Sequence, residues 1–476
     1  MMATFTVIPK KPELIVPAKS TPHEIKLVSD IDDQDSFRCH YPMIMFYKNN
    51  PSTEGLMDPA KVIREALAKT LVYYYPFAGR LVQGPDYKLM VDCTAEGVVF
   101  LEADADIESS SSVTRFSRLA VPELLMCDVP RSDGMLGCPL MLVQVTRFNC
   151  GGFVLAIRFN HIISDALGSI QFVNAMSEMA KGASTPSILP VWRRELLTAR
   201  HPPCVTHTHT EYDIHNKIAN IPYTMDDMNN LVRRSFSFGS QEIEAIRKNL
   251  PPEIRSSSKF DLIAACLWRS RTRALQFDPD DNVRVTCMVN VRGKNLLDLP
   301  LGYYANAIIC PAKVSKAKTL CASPLGYAMR LVKEARRQAT IDYSRSTIDF
   351  IATNPGAKLI SPWNFIVSDA SKVGFDEVDF GWGKPIYGGT MYGGTFNNIV
   401  LARYCNRKGE EVMVAPMILP AAAMESTQRT KSAISGQGNI PDLEMQQWRS
   451  AMAFAAKVVC ILLHGKQMVL WRIFVR

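Results

Sequence analysis

The sequence holds no C-x-x-C pair, no block of like charges and no apolar run long enough to cross a membrane. The first absence removes zinc-ribbon and thioredoxin-like readings, although twelve cysteines are scattered singly from Cys39 to Cys460. The second leaves a net charge of 54 − 46 = +8 spread thinly. That argues against nucleic acid as a partner and keeps open local pockets for an anionic small molecule. The longest apolar candidate is Val458–Leu463, against the ~18 residues a helical span needs. The opening MMATFTVIPKKPEL has neither an apolar h-region nor a small-residue cleavage site. No repeat recurs at the ~20–50-residue periods of solenoids and propellers. Together these absences make a cytoplasmic protein with reduced, mostly buried cysteines the expectation.

What is present is ordinary globular material: 47% hydrophobic, 21% charged and 9% aromatic residues over 476 positions. A chain of this length can bury a large core without disulfide staples. Val62, Ile63, Ala66, Leu67 and Leu71 fall at helical spacing after Asp58-Pro59, a cap and first-turn proline, and Pro76 closes the segment. Leu142–Phe148 and Phe153–Phe159 read as a hairpin around Asn149-Cys150-Gly151-Gly152. After His161 the period changes, and Leu167, Ile170, Val173, Met176 and Met179 share a helical face that Gly182 ends. Thr198–Asp226, rich in Pro, His, Thr and Asn, reads as a linker; beyond it Lys259–Ala274 reads as a helix and Val283–Val291 as a strand. The architecture expected is α/β, two halves joined by a long crossover. The boundaries are 1–197, a crossover at 198–232, a second half at 233–425, and an atypical tail at 426–476 whose Trp448–Arg476 run has no clean period.

The sharpest local feature is His161-Ile162-Ile163-Ser164-Asp165, placed where a strand ends and a helix begins. Ser164 or Asp165 suits the helix N-cap. An imidazole at such a junction is open to substrate, and its reference pKa near ~6.5 leaves it mostly neutral and able to take a proton. Five residues of this kind are commonly no more than a surface histidine beside an acid. A second feature, Asp379-Phe380-Gly381-Trp382-Gly383, describes a tight turn around a large ring and alone would be structural.

The two features stand 379 − 161 = 218 residues apart, and an HxxxD followed by a DFGWG resembles the plant BAHD acyltransferases. Leu71-Val72-Tyr73-Tyr74-Tyr75-Pro76-Phe77-Ala78-Gly79-Arg80-Leu81 is similar to that family's N-terminal segment. Gln144–Phe148 with Cys150–Phe153 resembles its approach to the histidine, and Asn290-Val291-Arg292 and Gly302–Ala307 its second half. The likeness is strongest to the branch of benzyl alcohol O-benzoyltransferases, methanol O-anthraniloyltransferases and alcohol acyltransferases. It runs from about residue 5 to Glu425 and stops at Ser426.

The resemblance implies two similar-sized mixed-sheet domains of the chloramphenicol-acetyltransferase type with a tunnel between them. It implies acyl-CoA as cosubstrate, no bound cofactor or metal, a small or aromatic alcohol as acceptor, and a monomer. His161 would be the general base, Asp165 would turn from the ring to pair with Arg292, and Asp379–Gly383 would shape the CoA side. Asp379 is read as structural, with a second catalytic residue as the alternative. Ala166-Leu167 stands where the branch often has Ala-Pro, a change that fits a helix start. An N-acyltransferase acting on an amine, or an impaired paralogue that binds acyl-CoA or a partner, are the other readings. A peptide-forming condensation domain also uses a His-to-Asp motif, but Asn160 and Ala166 disagree with its pattern. His201, Cys204, His207, His209 and His215 cluster in the linker, yet their spacing matches no zinc pattern.

Overall fold

The computed structural model describes residues 5–50, 58–108, 125–213, 230–293, 295–391, 396–405 and 409–435. The first half supplies strands β1 (Val7–Pro9), β2 (Glu13–Ile15), β3 (Ile25–Leu27), β4 (His40–Tyr47), β5 (Arg80–Gln83), β6 (Leu89–Asp92), β7 (Val98–Ala105), β8 (Met141–Phe148) and β9 (Phe153–Asn160). Its helices are α1 (Pro59–Tyr73) and α2 (Ala166–Ala180). The second half supplies β10 (Leu231–Phe238), β11 (Asn282–Cys287), β12 (Val289–Asn290), β13 (Ile308–Ile309), β14 (Ala312–Lys316), β15 (Asn364–Asp369), β16 (Tyr387–Thr390), β17 (Asn398–Cys405) and β18 (Glu411–Pro420). Its helices are α3 (Ser240–Lys248), α4 (Lys259–Ala274), α5 (Ala317–Ala322), α6 (Leu325–Arg337), α7 (Ile341–Thr353) and α8 (Ala421–Ser435).

The architecture is α/β with two mixed sheets. One has the order β1-β7-β8-β9-β4-β16, with β2 also on β7; the other runs β10-β18-β17-β15-β11-β14. In the first sheet β7 and β8 are parallel and the remaining pairs antiparallel. Its central strands are near-continuous apolar runs because both faces are covered. Val143, Val145, Leu155 and Ile157 enter the main core under α1 and α2, while Leu142, Val154 and Ala156 enter a smaller cluster on the other face. The second sheet packs α4 and α6 around a separate core that encloses Trp268.

The division of the chain does not follow the division of the sheets. β16, far into the second half, pairs antiparallel with β4, Tyr387 opposite Phe46 through Thr390 opposite Met43. Gly388 is required there, since a Cβ would lie 2.2 Å from the Phe375 carbonyl oxygen. Val291, Tyr303, Tyr304, Phe375 and Trp382 likewise belong to the first core. The segment expected as one strand, Val283–Val291, splits at Met288, whose N–H bonds to the Val367 carbonyl at 3.0 Å. Before that point β11 pairs with β14 and β15; beyond it β12 pairs with β13. The described part of the linker is fastened to α7: the Asp349 carboxylate accepts from the backbone of Arg200 and Cys204, both at 2.8 Å. Helix α8 continues through Ser435, into the stretch expected to be an atypical tail. The rest of the tail, including Trp448–Arg476, lies outside the described residues. Cys39 through Cys321 are free.

Candidate active site

β9 delivers His161 one residue beyond its end. Asn160 Oδ1 accepts from the Ile162 N–H at 3.0 Å, a turn that bends the chain out of the strand. The His161 N–H donates to the Cys39 carbonyl at 2.9 Å. The half-buried ring lies parallel to Phe37, centroids 4.5 Å apart and planes 10° apart, and meets Tyr41 at 4.6 Å with a tilt of 56°. Its Nδ1 is enclosed without a hydrogen-bond partner. Burial between the two aromatic rings lowers the imidazole pKa, and the negative charge of Asp165 only partly opposes this. The shift favours the uncharged form of the ring.

Asp165 is the N-cap of α2, its Oδ1 accepting from Gly168 N–H at 2.9 Å. Both its oxygens also meet Arg292, Nη1 to Oδ2 at 2.8 Å and Nη2 to Oδ1 at 3.1 Å, and Ala307 N–H donates to Oδ2 at 3.0 Å. Burial would raise this carboxyl pKa, but Arg292 and the two N–H groups outweigh it and hold it below the usual range. The carboxylate therefore faces the second half. Arg292 in turn donates to the carbonyls of Tyr303, at 3.2 Å, and Ala305.

A second buried network, without a motif in the sequence, holds the rest of the loop. Asn306 Nδ2 donates to the His161 carbonyl at 2.7 Å and to Asp32 Oδ1 at 2.8 Å. Arg194 Nη1 meets Asp32 Oδ2 at 2.7 Å, and its Nη2 donates to the Ile163 carbonyl at 2.7 Å. Tyr41 Oη donates to the Ser164 carbonyl at 3.1 Å. Consecutive carbonyls of the histidine loop are thus tied by side chains from three separate segments. Asn306 sits inside the recognised Gly302–Ala307 stretch; Phe37, Tyr41, Asp32 and Arg194 carry no spacing signal that could have found them.

The Asp379–Gly383 turn closes on itself. Asp379 Oδ1 accepts from the N–H groups of Gly381 and Gly383 at 2.7 and 2.8 Å, and the Asp379 carbonyl accepts from Ser177 Oγ of α2 at 2.8 Å. Trp382 packs edge-on against Phe153 with centroids 5.2 Å apart, and Phe380 meets Tyr47 at 6.1 Å. The turn therefore anchors the second half to the first sheet. A cleft of about 390 Å³ lies between α2, residues 187–188 and residues 377–379, lined in part by Gln171, Asn174 and Lys181. The histidine-rich linker binds otherwise than as a metal site: His209 Nδ1 meets Glu211 at 2.9 Å and its Nε2 meets Ser346 Oγ at 2.9 Å. No group of three or more His, Cys, Asp or Glu that could hold a metal occurs among the described residues, and His215 lies outside them.

A histidine at a strand end, next to a buried carboxylate that pairs with an arginine of the second half, sits here in an α/β fold of two mixed sheets like that of chloramphenicol acetyltransferase. The chain belongs to the BAHD acyltransferases: the model of the Transferase family matches residues 5–434. It is 50% identical over 428 residues to alcohol acyltransferase 16 of Actinidia chinensis var. chinensis, covering 89% of this chain and 92% of that protein. It is 48% identical over 431 residues to benzyl alcohol O-benzoyltransferase of Nicotiana tabacum, covering 89% and 92%. Among solved structures, vinorine synthase superposes with a TM-score of 0.66 at 22% identity, over 88% of this chain and 96% of that one. TRI101 of F. sporotrichioides, complexed with coenzyme A and T-2, gives 0.66 at 17% identity, over 85% and 97%. Taken with its family and these relatives, the chain is an acyl-CoA-dependent O-acyltransferase that forms esters of alcohols.

Proposed function

We propose that the chain passes a benzoyl, anthraniloyl or acetyl group directly from CoA to a small or aromatic alcohol, with His161 as the general base. The observation that carries this reading is the His161 ring, stacked between Phe37 and Tyr41 on a loop whose carboxylate turns away to Arg292. The hydroxyl proton passes to Nε2 as the alcohol oxygen attacks the thioester carbonyl. The tetrahedral intermediate then expels the thiolate, which takes the proton from the imidazolium, leaving ester and free CoA. No serine or cysteine nucleophile is needed. A thiol of pKa near ~8.5 is a far better leaving group than an alkoxide, so collapse favours the ester.

Asp165 and Arg292 are positioning residues in this reading, and the Asp379–Gly383 turn, with Phe380, Gly381 and Trp382, supports the CoA side without touching the base. Acyl-CoA is a cosubstrate, and no metal enters the reaction. The setting is cytoplasmic and the chain acts as a monomer; no helix among the described residues is long and apolar enough to cross a membrane.

The test is release of free thiol from benzoyl-, anthraniloyl- and acetyl-CoA in the presence of methanol, benzyl alcohol and longer alcohols. Alcohol-dependent release that falls by about 10²- to 10⁴-fold in His161→Ala is expected. Thermal stabilisation by CoA without any release would instead mark an impaired acyl-CoA binder, and release driven by amines alone an N-acyltransferase.

A further inference from the structure

We propose that Asp32, Arg194 and Asn306 form a second positioning system for His161, distinct from the Asp165–Arg292 pair, that fixes the backbone of the histidine loop. This rests on the reading of His161 as the base. Asp165 and Arg292 hold the far end of the loop, at the start of α2. They make no contact with the carbonyls of His161, Ile162 or Ile163. Those are held by Asn306 at 2.7 and 3.5 Å and by Arg194 at 2.7 Å. Both groups are aimed by one carboxylate: Asp32 accepts Arg194 on Oδ2, and on Oδ1 it accepts both the N–H and the side-chain amide of Asn306. All three side chains are buried: Asp32 and Asn306 are 0% exposed and Arg194 is 2% exposed. The three come from segments far apart in sequence and converge on the three residues that set the ring's direction.

An ion pair this deep is a poor way to gain stability, because removing both charges from water costs several kcal/mol that their attraction offsets only with excellent geometry. Its value here is directional. The guanidinium is planar and rigid, and one nitrogen is spent on Asp32 while another fixes a loop carbonyl. Reacting groups displaced by about 1 Å lose on the order of 10²-fold in rate.

The carboxylates facing His161 are Asp165 and Asp32, backed by Arg292 and Arg194. The neighbouring Tyr41 phenol and Cys39 thiol are pushed upward by burial, the thiol to about 11, and stay neutral. Charge at Asp32 and Arg194 therefore reaches the base, and their loss should act on it in opposite senses.

The experiment measures kcat, both KM values and the acid limb of kcat/KM for Asn306→Ser, Arg194→Lys, Arg194→Met and Asp32→Asn, beside His161→Ala. Expected for Asn306→Ser is a kcat lower by about 10- to 100-fold with KM for acyl-CoA within about twofold. Arg194→Met should move the acid limb to higher pH, because Asp32 is left unbalanced and favours the imidazolium; Asp32→Asn should move it to lower pH. Arg194→Lys should recover part of the loss. Folded Asn306→Ser with wild-type kcat, or acid limbs that coincide with wild type in both charge variants, would overturn the proposal. Where the charge variants do not fold, kcat of Asn306→Ser decides. If His161→Ala keeps full activity, the failure lies with the base itself and not with its supports.

Discussion

At the scale of single residues, the stacked ring of His161 has a direct kinetic signature. Protonation removes the base, and its pKa is lowered by burial, so the acid limb of kcat/KM should fall below the ordinary imidazole value of about 6.5. A pH–rate profile with the preferred alcohol checks this, and a limb above that value would contradict it. Arg292→Ala strips the partner from a buried carboxylate and should cost about 3–5 kcal/mol in urea unfolding, more than deleting both charges together. Because the Asp165 pKa is depressed in the folded state, the pair's contribution is full near neutrality. It drains as the pH falls below about 4, through the folded value. His161, Asp165 and Arg292 could be read from the chain because their spacing is a shared pattern. Phe37 and Tyr41 could not, since an aromatic ring in a mostly buried segment looks the same whether it packs a core or cradles a base.

At the scale of elements, periodicity served well wherever one partner surface sets the pattern. The helix after Asp58-Pro59 forms as α1, capped by Asp58 through the Ala60 N–H at 3.2 Å, and the two runs around Cys150 form the β8–β9 hairpin. It failed at Met288, where the run of extended residues continues but the pairing partner changes; no local signal marks a change of partner. The start of α2 is the tightest joint. A Cβ on Gly168 would stand 1.9 Å from the Tyr304 carbonyl oxygen, so Gly168→Ala must push the helix off the second half. It should lower Tm and abolish thiol release together, which thermal unfolding and the ester assay would show side by side. The Asp379 turn separates these two readouts. Asp379→Ala leaves the Gly381 and Gly383 N–H groups without their acceptor, a loss of roughly 1–3 kcal/mol. Residual activity of the folded fraction should stay above that of His161→Ala.

At the scale of the whole molecule, the two halves named by the linker are not separable bodies. The main core of the first sheet includes Val291, Tyr303, Tyr304, Phe375 and Trp382, and β16 completes that sheet from the second half. Calorimetry should therefore show one cooperative transition, and the two halves expressed apart should remain insoluble or unfolded. This interlock was hidden from the chain because strand exchange leaves no mark on composition; Tyr387–Thr390 reads only as a glycine-containing turn. It also decides how guests come and go. The chain is stitched across the midline by the segment that Asp349 grips and again by the return of Tyr387–Thr390 to β4. A jaw-like opening would have to strip four paired residues from a sheet edge. The two halves are joined more like a sewn seam than like a clam's hinge.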